Sequence, residues 1–497
     1  MAADYDSLIT LYRDKCLLDS AAGVLGWDER TYMPHKGSAF RADQMALLAK
    51  LSHEKLTSPR IGEILEHLSH ATLDADQTVN VREIRRVYDR AVKVPGRLVE
   101  EIARVTTRAQ NVWQDARAKN DFAAFAPWLE KIVALKREEA DAVGYKDSPY
   151  NALLDEYEPG ATAKDITAVF AKLRAELVPL VAAITESSKK PRKDLLTREF
   201  PLDRQALFGQ GAAAAIGFDF TAGRLDVTSH PFCSGMGPGD CRLTTRYALR
   251  EFNQGFFGIL HEAGHGIYEQ GLDPAAFGTP LGQACSLGIH ESQSRLWENQ
   301  VGRGRPFWEH FFPRAQQMFP GTLDDVSLEE WIFSLNNVER SFIRVEADEA
   351  TYNLHIILRF ELEQALMTGD LPVKEVAGAW NEKFRAFFDL TPPSDAQGCL
   401  QDIHWSMGGL GYFPTYTLGN LFAAQFMAAA RRELTGLDDD FRRGYFGRLK
   451  TWLNEKIHRQ GQRHRAGELC ERITGQPLGH APLLEYLRGK YGEFYGI

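Results

Sequence analysis

The chain has 497 residues, enough to bury a large core, and its 67 acidic against 58 basic side chains leave a formal net charge of -9. That balance, with no concentrated Lys/Arg block, argues against nucleic acid or an anionic membrane as partner, and no apolar window approaches a membrane-spanning length. Six scattered cysteines (Cys16, Cys233, Cys241, Cys285, Cys399 and Cys470) lack the paired spacing of a thiolate zinc site, and the acidic start Met1-Ala2-Ala3-Asp4-Tyr5-Asp6 is unlike a targeting segment, so the expected setting is cytoplasmic.

Up to about residue 190 the sequence alternates helical apolar periodicity with short polar breaks, as in 39–51, 73–90, 98–118 and 163–185. There is no repeat period, and Lys189-Lys190-Pro191-Arg192 reads as a turn, not a domain boundary. The character changes between Phe200 and Tyr247. Arg224-Leu225-Asp226-Val227-Thr228 alternates as a short strand, Gly235 to Gly239 reads as a turn, and Cys241-Arg242-Leu243-Thr244-Thr245 is expected to pair back as a second strand. Such a hairpin is either purely structural or offers an edge to an extended peptide.

The next segment holds His261-Glu262-Ala263-Gly264-His265 behind Phe252, Phe256, Phe257, Ile259 and Leu260, with Gly271 as a closing residue. On a helix His261 and His265 share a face one turn apart, so two imidazoles can bind one metal ion while Glu262 reaches a water beside it. A pair of hydrogen-bonded core histidines would carry the same spelling. A hydrolytic zinc site needs a third protein ligand and one open position. A helix starting near Ser286 supplies Glu291, with Arg295 one turn further; His290 points away and reads as an outer-sphere or surface histidine.

Ser327-Leu328-Glu329-Glu330 matches a capping box and opens a long helical region ending near Thr368-Gly369. Within it Arg344 and Asp348 stand four apart. This spacing fits either an arginine oriented for a carboxylate or a surface ion pair. Residues 398–418 form a Gly-rich aromatic loop with His404, Trp405, Tyr412 and Tyr416 before an Ala-rich helix, placed either for function or for aromatic packing. The basic run from Arg442 to Arg459 is interleaved with apolar residues and reads as a solvated helix face.

Together these segments resemble the carboxypeptidase Taq family of metallocarboxypeptidases. The ordered motifs are His230-Pro231-Phe232, Asp240 to Thr244 as D-x-R-x-T, His261 to His265 as H-E-x-x-H, and His290 to Gln293 as H-E-S-Q. Ile343 to Asp348 follows as I-R-x-x-A-D, and Gly398 to Trp405 as G-x-x-Q-D-x-H-W. The resemblance implies a mostly α fold similar to neurolysin and angiotensin-converting enzyme: a single large helical domain over 1–497 with a deep active-site groove and a small β-sheet beside it. In it 1–195 forms a groove wall and 196–497 carries the motifs. The resemblance also implies a homodimer with one Zn2+ per subunit, Co2+ being possible, and an EC 3.4.17 type activity. That activity releases single C-terminal residues of broad identity from peptides with a free C-terminus.

On that resemblance the metal ligands are His261, His265 and Glu291, and Arg344 anchors the substrate carboxylate, with Arg242 as a second cation and His230 on the substrate side. Glu262 is expected to act as general base, with His404 and Tyr416 stabilising the oxyanion. Tyr412 is assigned to the carboxylate end, and the two tyrosines could exchange roles.

Overall fold

Polar residues at segment starts decide where several of the helices begin. In the computed structural model, which describes residues 2–497, Asp74 and Gln77 form a capping box before Ala75–Lys93, Ser148 accepts from Tyr150 N at the start of Pro149–Tyr157, and Thr162 caps Ala163–Glu186. Each side chain satisfies an amide that the first turn leaves without a partner. The described residues form twenty α-helices and one three-stranded sheet, so the chain is mostly α, and no described helix is long and apolar enough to cross a membrane. Three of the four N-terminal periodic segments fall within Ser38–Leu56, Gly96–Lys119 and Ala163–Glu186, and the fourth, 73–90, starts two residues ahead of its helix Ala75–Lys93 because Asp74 is the cap.

The sheet departs from the expected hairpin. It contains β1 (Gly223–Val227), β2 (Cys233–Gly237) and β3 (Asp240–Thr245) in the order β1-β3-β2. β1 lies parallel to β3, and the antiparallel neighbour of β3 is β2, which occupies much of the presumed turn. The reversal is confined to Pro238-Gly239, where Gly239 adopts a φ of 81° that other residues rarely tolerate. The N-terminal helix Ala2–Thr31 lies across this sheet. Tyr32 donates to Asp226 Oδ1 at 2.6 Å, Thr228 donates to Arg30 O at 2.9 Å, and Ser20 donates to Met236 O.

The predicted capping box at Ser327 is present, but its helix stops at Leu335. Asn336 turns its amide back onto Ile332 O and Arg303 O, one 3-10 turn covers Arg344–Glu346, and helix resumes only at Tyr352–Thr368. Side-chain amides and carboxylates that bond to local backbone compete with helix in this way.

One large core runs through most of the molecule; a smaller one joins Leu8, Tyr12, Ile61, Leu65 and Ile84 near the N-terminus. In the large core Phe252 and Phe256 stack at 5.1 Å, with Phe200, Phe208, Trp308 and Trp331 around them. Aromatic pairs of this kind add about 0.5 to 1.5 kcal/mol each beyond area burial, so the helix Phe252–Gly271 sits on a rigid base.

Candidate active site

Three helices meet where the H-E-x-x-H segment was read, and glycines permit the approach. A Cβ on Gly264 would lie 2.6 Å from Gln293 O and Ser294 Cα, so Phe252–Gly271 and Leu287–Arg295 cross in backbone contact. A Cβ on Gly419 would strike the Glu291 side chain, so the helix Pro414–Glu433 passes directly over it. Ser286 caps Leu287–Arg295 as expected, and its first turn also rests on the buried Glu158 carboxylate, which accepts from Ser286 Oγ at 3.0 Å and Gly288 N at 2.9 Å.

His261, His265 and Glu291 converge, with one donor atom from each lying within 4.8 Å of the others. The Nε2 atoms of His261 and His265 stand 3.7 and 3.4 Å from Glu291 Oε2. Tetrahedral ligands at zinc distances stand about 3.3 Å apart, so the trio fits one divalent ion. The remaining donor sites are already engaged: His261 Nδ1 meets Glu298 Oε2 at 2.9 Å, His265 Nδ1 meets His290 Nδ1 at 2.6 Å, and Glu291 Oε1 accepts from Arg295 Nε at 2.7 Å. The atoms facing a common centre are thus His261 Nε2, His265 Nε2 and Glu291 Oε2, the last of which also accepts from Ser294 Oγ at 3.2 Å and keeps a second lone pair.

The electrostatics agree. Burial raises the Glu291 carboxyl, but Arg295, His261 and His265 outweigh it and hold it far below the ordinary range. Glu298 shows the same contest and falls to about 2 through its bond with His261 and the charges of Arg295 and Arg303. Burial lowers His265 to about 4, against the pull of Glu291, leaving a neutral imidazole with a free lone pair. Glu262, only 7% exposed, is pushed up to about 7 by burial, with Glu291 and Glu298 adding to the rise and His261 opposing it. A carboxylate poised near neutrality is suited to proton transfer.

Arg344 is buried, but its partner is not the expected Asp348. Its Nε and Nη2 donate to Asp402 Oδ1 at 3.0 and 2.7 Å, and Nη1 donates to Tyr352 OH at 2.8 Å. Asp348 instead accepts from Ala350 N, Thr351 N and Thr351 Oγ1, fixing the turn before the next helix. The i,i+4 reasoning fails because residues 344–348 are not α-helical. Asp402 also takes Arg359 Nε at 2.7 Å, so two buried guanidinium groups share one carboxylate and a positive charge is left over. Tyr352 links this cluster to the His261, His265 and Glu291 trio, since Arg295 lies 4.5 Å over its ring.

The aromatic loop closes the same region. His404 Nε2 and Tyr416 OH are 3.3 Å apart, the Tyr412 and Tyr416 rings are 5.4 Å apart, and the Arg344 guanidinium lies 5.2 Å from the Tyr416 ring. Burial lowers His404 to about 4, with Arg344 and Arg359 adding and Asp402 opposing, so the ring is neutral near pH 7. Burial and the Glu291 charge raise Tyr412, and burial with neighbouring Tyr412 raises Tyr416, which keeps both phenols protonated. The buried Glu363 carboxylate organises the loop by accepting from Tyr150 OH, Trp405 Nε1 and Gly411 N.

Two predicted residues stand apart from this cluster. Arg242 pairs with Asp240 at 2.7 and 2.8 Å and stacks 4.3 Å over Trp27, between the sheet and the N-terminal helix. His230 is exposed in the bend before β2. The sequence reading missed Glu298, Glu269, Asp402, Arg359 and Tyr352. Two of them carried a usable signal: Glu298 lies seven residues after Glu291 and Glu269 four after His265, both on the faces that carry the donor trio.

Comparison with known proteins points the same way. The profile of the carboxypeptidase Taq (M32) metallopeptidase family matches residues 7–491. Thermostable carboxypeptidase 1 of Thermus thermophilus is 46% identical over 99% of both chains, and carboxypeptidase 1 of Bacillus subtilis is 38% identical over 96% of this chain and 95% of that protein. The crystal structure of an M32 carboxypeptidase from Deinococcus radiodurans R1 superimposes with a TM-score of 0.97 at 42% identity, covering 100% of each chain.

Proposed function

The chain belongs to the carboxypeptidase Taq family of metallopeptidases and is a metal-dependent enzyme that removes C-terminal residues from peptides; on that premise we propose which residues do the work and with which ion. His261, His265 and Glu291 hold one Zn2+ per subunit, with Co2+ as the alternative. When bound, the ion polarises the scissile carbonyl and brings the pKa of a neighbouring water toward neutrality. The reading is carried by one observation: both histidine Nε2 atoms face Glu291 Oε2 while both Nδ1 atoms are already occupied.

Glu262 takes the proton of the attacking water and returns it to the leaving amine, a role that its buried carboxyl near pKa 7 supports. His404, neutral and beside Tyr416, donates with that tyrosine toward the oxyanion, and Tyr412 faces the carboxylate end of the peptide. Arg344 receives the terminal carboxylate. Its rigid seat on Asp402 and the uncompensated charge shared with Arg359 support that assignment, and a fixed carboxylate decides which peptide bond meets the water. Arg242 and His230, beside the sheet, are assigned to the substrate side; with Arg242 neutralised by Asp240, the carboxylate falls to Arg344.

The same reading takes the chain as one domain, with 1–195 as a groove wall and 196–497 as the catalytic part, working on peptides of broad terminal sequence as a cytoplasmic homodimer. Exposed Phe40, Leu47 and Leu51 along Ser38–Leu56 support an apolar subunit contact. The decisive experiment compares one peptide with a free and an amidated C-terminus in wild type, Glu262→Gln and Arg344→Ala. Loss of turnover in Glu262→Gln with metal retained is expected, as is a selective loss for the free-carboxylate peptide in Arg344→Ala. Full activity of Glu262→Gln, or equal cleavage of both peptides by wild type, would refute the assignments.

A further inference from the structure

The two histidines facing Glu291 are held in different ways. His261 Nδ1 lies directly against the Glu298 carboxylate, which Arg295 Nη1 and Arg303 Nη2 approach at 3.4 and 3.3 Å. His265 Nδ1 meets another imidazole, His290 Nδ1 at 2.6 Å, and His290 Nε2 in turn meets Glu269 Oε1 at 2.6 Å. Ligand histidines usually donate straight to a carboxylate, a backbone carbonyl or water, so an interposed imidazole is an unusual support.

Proton counting fixes the direction of this chain. Two ring nitrogens at 2.6 Å must share one proton, because two N–H groups or two lone pairs facing each other would repel. If His265 gives its Nε2 lone pair to an ion, its Nδ1 carries the proton and donates to His290. His290 Nδ1 then accepts, and its Nε2–H donates to the Glu269 carboxylate. Every donor and acceptor is satisfied in this one arrangement.

The surroundings keep the relay in place. The His290 ring lies between His265 at 4.7 Å and Tyr268 at 5.0 Å, and Tyr268 is buried with its hydroxyl accepting from Cys285 N at 3.0 Å. Glu269 is backed by Gly235 of β2, where any Cβ would collide with the carboxylate. On its outer side Glu269 borders a cavity of about 370 Å³ between β2, the N-terminal helix and the segment 272–284. The relay thus runs from a cavity wall at the sheet edge to the donor trio.

We infer that His290 and Glu269 are positioning residues for the metal centre, setting the orientation and tautomer of His265 through an imidazole–carboxylate relay braced by Gly235. This rests on the metal reading above. Loss of a support of this kind typically costs 10- to 100-fold in metal affinity. The terminal carboxylate is held elsewhere, by Arg344, so KM for peptide stays unchanged while metal binding weakens.

The test titrates Zn2+ against a chelator and records visible spectra of the Co2+-loaded protein for wild type, His290→Phe, Glu269→Ala and Glu269→Gln. His290→Phe and Glu269→Ala are expected to bind metal about 10- to 100-fold more weakly and to shift the cobalt bands. Glu269→Gln, whose amide oxygen still accepts from His290 Nε2–H, is expected to stay near wild type. Glu269 is partly exposed, so Glu269→Ala carries the test if the larger substitution prevents folding. Wild-type affinity and an unshifted spectrum in Glu269→Ala would overturn the relay while leaving the metal reading intact. A wild-type protein that binds no stoichiometric metal would overturn both.

Discussion

Gly264→Ala isolates the helix crossing that creates the donor trio. The added Cβ would lie 2.6 Å from Gln293 O and Ser294 Cα, both backbone atoms of the crossing segment that cannot swing aside as a side-chain end can. Ordinary carbon contacts are about 3.5 to 4.0 Å, so the two helices must separate by about 1 Å, at an overpacking cost of about 1 to 3 kcal/mol. The larger consequence concerns the metal. His261 and His265 ride on one helix and Glu291 on the other, so the same displacement opens the 3.4 and 3.7 Å donor spacings by a comparable amount. Metal sites tolerate about 0.2 Å. We expect a folded variant with a modestly lowered metal-free Tm and a much larger loss of Zn2+ affinity, read by thermal melting and by competition with a chelator. Gly258→Ala on the same helix is the control, since its Cβ meets only Thr245 Oγ1 at 3.7 Å and alanine favours helix by about 1 kcal/mol. Wild-type metal affinity in Gly264→Ala would show that the crossing does not set the ligand geometry.

Asp402→Asn leaves Arg344 and Arg359 buried without their shared counter-charge; a loss of about 3 to 5 kcal/mol in denaturant unfolding is expected, and a change below 1 kcal/mol would contradict the account of this cluster. Chelation should abolish peptide cleavage and lower Tm, and added Zn2+ should restore both. Burial raises Glu158 to about 7 in the folded protein against about 4.3 unfolded, so the native state holds a proton that the unfolded chain releases. Its contribution is complete below about pH 4.3 and is lost as pH rises toward 7, a change of about 4 kcal/mol. Glu158→Gln should therefore gain on wild type between pH 4.5 and 7.5 in urea midpoints, and parallel curves for the two proteins would refute this.

What could be read in the sequence was what local spacing encodes. His261 and His265 are one turn apart whatever surrounds them, Ser286 marks a helix start that puts Glu291 in its first two turns, and Ser327 with Glu330 forms the box their offset implies. Local spacing misled where its helical premise failed. Arg344 and Asp348 are four apart, but a single 3-10 turn separates them, and the true partner Asp402 is 58 residues away. The parallel pairing of β1 with β3 was hidden because β2 lies within what looked like a turn. Glu269 and Glu298 sat at helical offsets from His265 and Glu291, yet no offset shows that an imidazole stands between Glu269 and His265.

The helix that presents Glu291 does not end its own hydrogen bonding unaided. Its opening amide at Gly288 and its Ser286 cap rest on Glu158, just past Pro149–Tyr157 in the N-terminal helical part. A fragment retaining all the motif residues but beginning after residue 195 would lack that carboxylate and leave a buried amide without its acceptor. Neither part is thus a module that recombination could exchange freely. Any fusion that preserves the site must keep a hydrogen-bond acceptor at position 158 along with the residues facing the metal.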